Sequence, residues 1–329
     1  MAKKPTTFAP LLSATYEDKY KPRFPVMVSP KLDGIRVIIV DSKPMTRSLK
    51  DMVKNLEIQE ALYGLPMLDG ELIGGNPYDS AVCSKTQSVV MSKVCKDPEL
   101  QKHWKYHIFD FASPECSHLP FAQRYDGVKS MVDAIIRKRP DLADRLVIVP
   151  HPVLKTEAEL IAYRDECITL GYEGVMLRDP NGVYKWGRAT AKERILTKVK
   201  LWEDAEAVVV DVHEEMHNEN EAFINPLGKM ERSSHQENKK GTGRLGGYTC
   251  RVFRRDDGYF FHPDLSGSFS GEVVEFYLGA TANVTREERE ELWKIRATLL
   301  NKDVTFKYQY TLGVEKPRFP VFKLFREKE

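Results

Sequence analysis

Cysteine is scarce in this chain. Five residues (Cys83, Cys95, Cys116, Cys167 and Cys250) are scattered over 329 positions, and no two stand as Cys-x-x-Cys. That pattern argues against a zinc site and a disulfide framework, and it fits a reducing cytosol. Long apolar runs are also missing. No stretch approaches the ~20 residues of a membrane span, and no signal-peptide pattern opens the chain. Met1-Ala2-Lys3-Lys4 reads as a polar tail, and no membrane partner is expected. Excess charge of one sign is absent too: 50 Lys and Arg stand against 48 Asp and Glu, a net charge of +2. A nucleic-acid surface would therefore come from local clustering, not bulk charge. With 42% apolar and 30% charged residues the chain reads as globular and long enough for two cored domains.

The most informative stretch is Lys31-Leu32-Asp33-Gly34-Ile35-Arg36. It lies between two apolar runs, Val26-Met27-Val28 and Val37-Ile38-Ile39-Val40, that read as strands, and Asp33-Gly34 reads as a turn between them. Lys31 would then sit at a strand end, where a rigid scaffold can aim it. Lysine amines form covalent intermediates when unprotonated, and burial or a neighbouring cation favours that form. Arg36 is such a cation and could also hold a phosphate. Taken alone, the pattern more often describes solvated residues at a hairpin.

Four further stretches follow in order. Leu68-Asp69-Gly70-Glu71-Leu72 reads as two carboxylates at a turn. Tyr106-His107-Ile108-Phe109-Asp110-Phe111 is a short aromatic strand. Glu173-Gly174-Val175-Met176-Leu177-Arg178 opens a strand with an acid. Leu196-Thr197-Lys198-Val199-Lys200 puts two lysines on one strand face, since side chains alternate. Together these motifs resemble the covalent nucleotidyltransferases, and among them the ATP-dependent DNA ligases. The resemblance runs from about residue 20 to the C-terminus, and the tail Pro317-Arg318-Phe319-Pro320-Val321-Phe322 looks most like small bacteriophage ligases.

The fold class expected is α+β. A nucleotidyltransferase (adenylation) domain of antiparallel sheets with helices would occupy 1–200, and an OB-fold domain 201–329. In the first part, a helical stripe follows Pro120 (Phe121, Tyr125, Val128, Met131, Val132, Ile135). Thr156-Glu157-Ala158-Glu159 is a capping-box signal for a second helix that stops at Gly171. Leu201-Trp202-Glu203-Asp204 reads as a polar hinge. Beyond it, short strands recur at 207–212, 247–253, 259–261, 272–278 and 304–310, with one helix from Thr285 to about Leu300. Five short strands and one helix form the OB pattern, a β-barrel. Between its first two strands lies a polar insertion at about 217–247. It reads as either a surface loop or a DNA-contacting latch, with Lys239, Lys240 and Arg244 for backbone phosphates.

The resemblance also assigns roles. Lys31 is the nucleophile that attacks the α-phosphorus of ATP and carries AMP. Arg36 and Arg47 would lie on the ribose and phosphates, and Lys198 and Lys200 would approach the α-phosphate. Glu71 and Glu173 would ligate Mg²⁺ or another divalent cation, and Glu71 could hold the ribose instead or as well. Asp69 reads as structural. Phe109 would stack on adenine with Met176 on the opposite face, although core packing is the plain alternative for both. Ser29 stands where many DNA ligases carry an acid that reads the adenine amino group, so backbone contacts are expected to read it here. Arg318 and Arg326 match a pyrophosphate-orienting motif, whereas Val321 does not. No DNA-binding domain is expected before Lys31. The implied partner is nicked double-stranded DNA, the implied state a monomer, and the implied location the cytoplasm of a bacterium or a phage-infected host. Rival readings are an mRNA-capping guanylyltransferase, an RNA ligase, or a non-enzymatic OB-type nucleic-acid binder.

Overall fold

A computed structural model describes residues 8–224, 230–233, 235–280, 284–310 and 314–326. The polar N-terminal tail and part of the 217–247 insertion therefore lie outside the described residues. The chain divides into two compact units, Met1–Lys200 and Leu201–Glu329.

The first unit contains β1 (Ala14–Thr15), β2 (Val26–Pro30), β3 (Ile35–Val40), β4 (Lys43–Thr46), α1 (Leu56–Leu62), β5 (Leu68–Gly74), α2 (Val82–Val90), α3 (Pro98–Lys102), β6 (Trp104–Phe111), α4 (Phe121–Lys138), β7 (Leu146–Ile148), β8 (Val153–Leu154), α5 (Glu157–Thr169), β9 (Gly174–Arg178) and β10 (Leu196–Lys200). The strands form two five-stranded sheets, ordered β1-β10-β9-β2-β8 and β4-β3-β5-β6-β7. The two apolar runs around Lys31 are thus not a hairpin. β2 belongs to one sheet and β3 to the other, and residues 31–34 carry the chain across. Gly34 serves close approach and not a turn, because a Cβ there would overlap the Leu72 carbonyl of β5. Residues 68–72 are likewise strand, not turn.

Strand alternation then sorts the side chains. In the first sheet Val26 and Val28 of β2, with Val175 and Leu177 of β9, pack against Leu160 and Cys167 of α5. In the second sheet Val37, Ile39, Leu68, Leu72, Tyr106 and Ile108 pack against α1, α2 and α4. The opposite faces meet through Ile38, Leu196 and Met176. Whatever alternates with the helix-facing residues must therefore point into the space between the sheets. α4 buries Phe121, Tyr125, Val128 and Val132, the stripe legible in the sequence. Thr156 caps α5 by accepting from the Glu159 amide at 3.2 Å, while the Glu159 carboxylate accepts from Lys155 N at 2.7 Å in place of the cap residue's amide.

The second unit contains β11 (Trp202–Asn218), β12 (Ala222–Ile224), β13 (Met230–Arg232), β14 (Lys239–Arg255), β15 (Phe260–Phe261), β16 (Gly271–Gly279), α6 (Arg286–Lys294), β17 (Asp303–Gln309) and β18 (Arg318–Phe325). Its main sheet runs β15-β14-β11-β17-β18, with β16 on β14. Among the described residues no ladder joins β16 to β18, so the OB-type sheet is not closed by hydrogen bonds there. Trp202 to Asp204 are strand: they pair with Gln309 to Lys307 as the start of β11, directly after the boundary between the units. The insertion is not a plain loop either. β11 and β14 run on as a two-stranded arm, His213 opposite Gly247 and Asn218 opposite Lys239, ending in the β12–β13 pair. Asn220 secures its end by donating to the carbonyls of Ser233 (2.9 Å) and His235 (2.7 Å). α6 carries a true capping box on Thr285 and Glu288 and is shorter than expected, giving way to a 3₁₀ turn at Arg296–Leu299.

Candidate active site

A cleft of about 330 Å³ opens between the two sheets of the first unit. That volume lies within the range of small-molecule sites. Register explains which residues line it. Ser29, Met176 and Lys198 stand directly across β2, β9 and β10, and Lys200 stands opposite Gly174 one row on. These residues occupy the face that turns away from α5. Lys31 follows β2 immediately, and its amide donates to the Gly174 carbonyl at 2.8 Å. Gly174 has φ +139°, and a Cβ there would overlap the Val199 carbonyl, so only glycine lets the three strands close up beneath Lys31.

The Lys31 ammonium is ion-paired with one oxygen of Glu173, and the other oxygen takes Lys200 Nζ at 3.2 Å. The Glu173 side chain is 3% exposed, whereas that of Lys31 is 20% exposed. Lys198 adds a third amine, pushed below the ordinary lysine pKa by burial and then by Lys200 and Lys31.

The facing sheet supplies acids and a ring. Arg36 and Glu71 are paired across β3 and β5. Arg36 donates from Nε and Nη2 to Asp69 at 2.9 and 2.6 Å, and from Nη1 to the Leu11 carbonyl at 2.7 Å. A guanidinium has five N–H groups, so about two remain for a ligand. Asp69 is fully buried and also accepts from the Tyr184 hydroxyl at 2.7 Å, which makes it the fixed anchor of Arg36. The ladder between β5 and β6 slips by one residue: Asp69 faces Asp110 and Gly70 faces Ile108. Phe109 is the unpaired extra residue, a β-bulge that turns its ring into the cleft. The guanidinium carbons of Arg36 and Arg178 lie 5.5 and 5.4 Å from that ring.

Arg47 is exposed at the cleft edge. The cleft thus collects Lys31, Arg36, Arg47, Glu71, Phe109, Met176, Lys198 and Lys200 along its lining, with Glu173 joined to it through the lysines. Ser29 lines it too. Two further arginines line it, Arg178 and Arg188, to which the sequence motifs assign no role. Arg178 closes the Glu173–Arg178 strand on the cleft-facing parity, a signal that was present. Arg188 sits in a loop without periodicity and donates to the Ser13 carbonyl at 2.9 Å.

The remaining expected residues lie in the second unit. Lys239 and Lys240 stand near the far end of the arm, and Lys240 pairs with Glu219 at 2.6 Å. Arg244 is held by Glu215 at 2.6 Å with 16% of its side chain exposed. Arg318 begins β18, its guanidinium 5.3 Å from the Phe319 ring. Arg326 is paired with Glu206 of β11.

A buried glutamate shared by two lysines, with further amines, guanidiniums and an aromatic ring along one cleft, suits the binding of a phosphate-bearing ligand. The family model for the ATP dependent DNA ligase domain matches residues 12–200, which hold this whole cleft. The chain belongs to the ATP-dependent DNA ligase family. Over its length this ligase is similar to the crystal structure of Chlorella virus DNA ligase-adenylate, at 26% identity and a TM-score of 0.50, covering 97% of this chain and 99% of that one. Its fold is also that of a Lig E DNA ligase, at 22% identity and a TM-score of 0.65, covering 97% and 100%. Comparison with curated proteins gives no match.

Glu71 has a pH signature. Burial raises its carboxyl to about 7, against the opposing pull of Lys31 and Arg36. The folded state thus favours the neutral acid. The stability this lends is full below the ordinary glutamate range near 4.5 and is lost as pH rises through 7. Binding a cation or a ribose hydroxyl through the carboxylate runs the other way. We expect ATP affinity in the presence of magnesium to rise about tenfold between about pH 6 and pH 8, following the ionised fraction. Glu71→Gln should flatten that rise in an equilibrium titration, and a slope that survives the substitution removes Glu71 as its source.

Phe109→Ala should raise the KM for ATP roughly five- to hundredfold, since stacking a base on an aromatic is worth about 1–3 kcal/mol. Phe109→Leu should lie between alanine and the parent. A normal KM in a destabilised Phe109→Ala protein would mean that the ring only packs against Leu32, Ile73 and Val149.

Proposed function

We propose that this ligase seals 5′-phosphate/3′-hydroxyl nicks in duplex DNA through Lys31. The observation that carries the proposal is the placement of Lys31 Nζ, in a cleft of nucleotide size, on a buried glutamate shared with Lys200. Lys31 attacks the α-phosphorus of ATP. An N–P bond forms, the bond to pyrophosphate breaks, and the amine gives up a proton. The AMP then passes to the DNA 5′-phosphate, and the 3′-hydroxyl displaces it to close the backbone. Phosphoryl transfer of this kind depends on positioning and charge neutralisation. Lys198, Lys200, Arg36 and Arg47 supply the positive charge, and Phe109 and Met176 the faces for adenine. Ser29, buried directly across from Met176, offers a hydroxyl in place of an acid.

Glu71 and Glu173 suit a hard divalent cation, which takes oxygen ligands and shares its shell with phosphates and water. The described residues hold no cluster of three or more His, Cys, Asp or Glu, so two protein carboxylates would share the ion with the nucleotide. Magnesium there would neutralise phosphate charge. The DNA partner is met by the arm of the second unit through Lys239 and Lys240, while Arg318 and Arg326 orient the pyrophosphate. A monomer acting in the cytoplasm completes the reading; no described helix is long and apolar enough to cross a membrane.

Glu173→Gln should slow self-adenylylation, and transfer from a pre-adenylylated DNA end, by tens- to hundreds-fold, the order for removing one electrostatic stabiliser. Its magnesium requirement should shift to higher concentration. Parental rates across a magnesium titration would take Glu173 out of the chemistry.

A further inference from the structure

The arm formed by β11 and β14 has a break in its ladder. Glu214 faces Leu245 and Met216 faces Gly241, so two steps on one strand are matched by four on the other. Gly243, inside the break, has φ +70°. Backbone pairing lapses over Thr242 to Arg244, and an arm interrupted there would flex at that point.

Side chains fill the gap. The Glu214 carboxylate accepts from the Gly243 amide at 2.7 Å. Glu215 accepts from Arg244 Nε at 2.6 Å and from the Thr242 hydroxyl at 3.2 Å. Its second oxygen takes Arg289 Nη2 of α6 at 2.9 Å. Arg289 also donates from Nε to the Leu245 carbonyl at 2.7 Å, and Glu290 of α6 lies 3.7 Å from Arg244. Arg244 and Arg289 are only 16% and 11% exposed. Hydrogen bonds from Arg244 and Arg289 hold the Glu215 carboxyl down at about 2, so the pair stays ionised at any working pH.

We propose that Glu215, with Arg244 and Arg289, is a positioning device for DNA binding: it locks the interrupted arm onto α6 so that the end bearing Lys239 and Lys240 is presented to the duplex at a fixed angle. Arg244 then acts through Glu215 and not through a phosphate. This rests on the reading of the arm as a DNA contact.

The test combines nicked-duplex binding over a salt series with amide hydrogen exchange of the arm, on the full chain. Glu215→Ala and Arg289→Ala should weaken nick binding five- to fiftyfold and speed exchange in 213–218 and 239–247. The log–log salt slope should stay parental, because no phosphate contact is lost. Glu215→Gln, which keeps an acceptor of the same shape, should fall between and guards against misfolding of the alanine variant. Adenylylation of Lys31 without DNA should be unchanged in all three. Lys239→Ala with Lys240→Ala should instead lower the slope by about 0.9 per lost contact. If that pair matches the parent in affinity and slope, the arm is not a DNA contact and the proposal falls with that reading. If the lysines behave as expected but Glu215→Ala binds or exchanges as the parent does, the positioning role alone is wrong. A slope lowered by Arg244→Ala would make Arg244 a phosphate contact and overturn its assignment.

Discussion

Lys31→Ala is expected to lose ATP-dependent nick sealing altogether and to form no AMP adduct. The nitrogen proposed to carry AMP is gone, and the neighbouring amines are not expected to replace it. Lys198 and Lys200 project from β10, whereas Lys31 stands on the segment that follows β2. Lys31→Arg should do no better, since a guanidinium stays protonated and is a poor nucleophile. Binding of nicked DNA should survive in both, because the arm lies in the other unit. The alanine variant also removes one of the cation partners of Glu173. A modest loss of stability is expected, against a catalytic loss of many orders. Gel analysis after incubation with α-labelled ATP measures the adduct directly, and a stable AMP adduct on either variant would mean that another group is the nucleophile.

Asp110→Ala should be the most damaging substitution for stability. Asp110 is fully buried and ion-paired with two arginines: Arg124 Nε at 2.9 Å and Arg178 Nη1 at 2.6 Å. Burial pushes its carboxyl pKa up, but Arg178 and Arg124 outweigh that and hold it below the ordinary range. Removing it strands two guanidiniums in the interior, with a cost of about 3–5 kcal/mol for breaking a buried pair. That is a large share of the roughly 5–15 kcal/mol that keeps a domain folded. Phe109 precedes Asp110 and Arg178 lies against its ring, so ATP affinity should fall in whatever remains folded. Urea denaturation measures the first effect and nucleotide titration the second. A loss under about 1 kcal/mol would show that Arg124 and Arg178 find other partners, such as the Gly182 carbonyl that Arg124 already meets at 3.0 Å.

The residues that gather in the cleft of this ligase are more legible in its sequence than the pairing of its strands. Lys31, Glu71, Phe109, Glu173, Lys198 and Lys200 stand in short apolar contexts, and alternation alone puts Lys198 and Lys200 on one face. Alternation does not say which strands become neighbours. Asp33-Gly34 carries a turn signal, yet the chain uses Gly34 to let β3 pass close to β5 while β2 joins another sheet. The bulge that aims Phe109 is a register shift, set by how β5 and β6 meet and invisible in either strand alone. Asp69 read as a turn residue because an acid beside glycine is usually solvated. Its actual partners, Arg36 and Tyr184, are 33 and 115 positions away. The basic, glycine-rich surroundings of Arg244 are visible in the sequence, and its partners Glu215 and Glu290 across the fold are not.

The most direct measurement is a single-turnover pulse and chase. The protein is incubated with α-labelled ATP, or separately GTP, and magnesium; the adduct is mapped by peptide mass spectrometry; nicked duplex is then added without further nucleotide. The expected result is AMP on Lys31 from ATP, no adduct from GTP, and disappearance of the label from the protein as sealed strand appears. A guanylyl adduct, an adduct on another lysine, or adenylylated protein that leaves nicks open would contradict it.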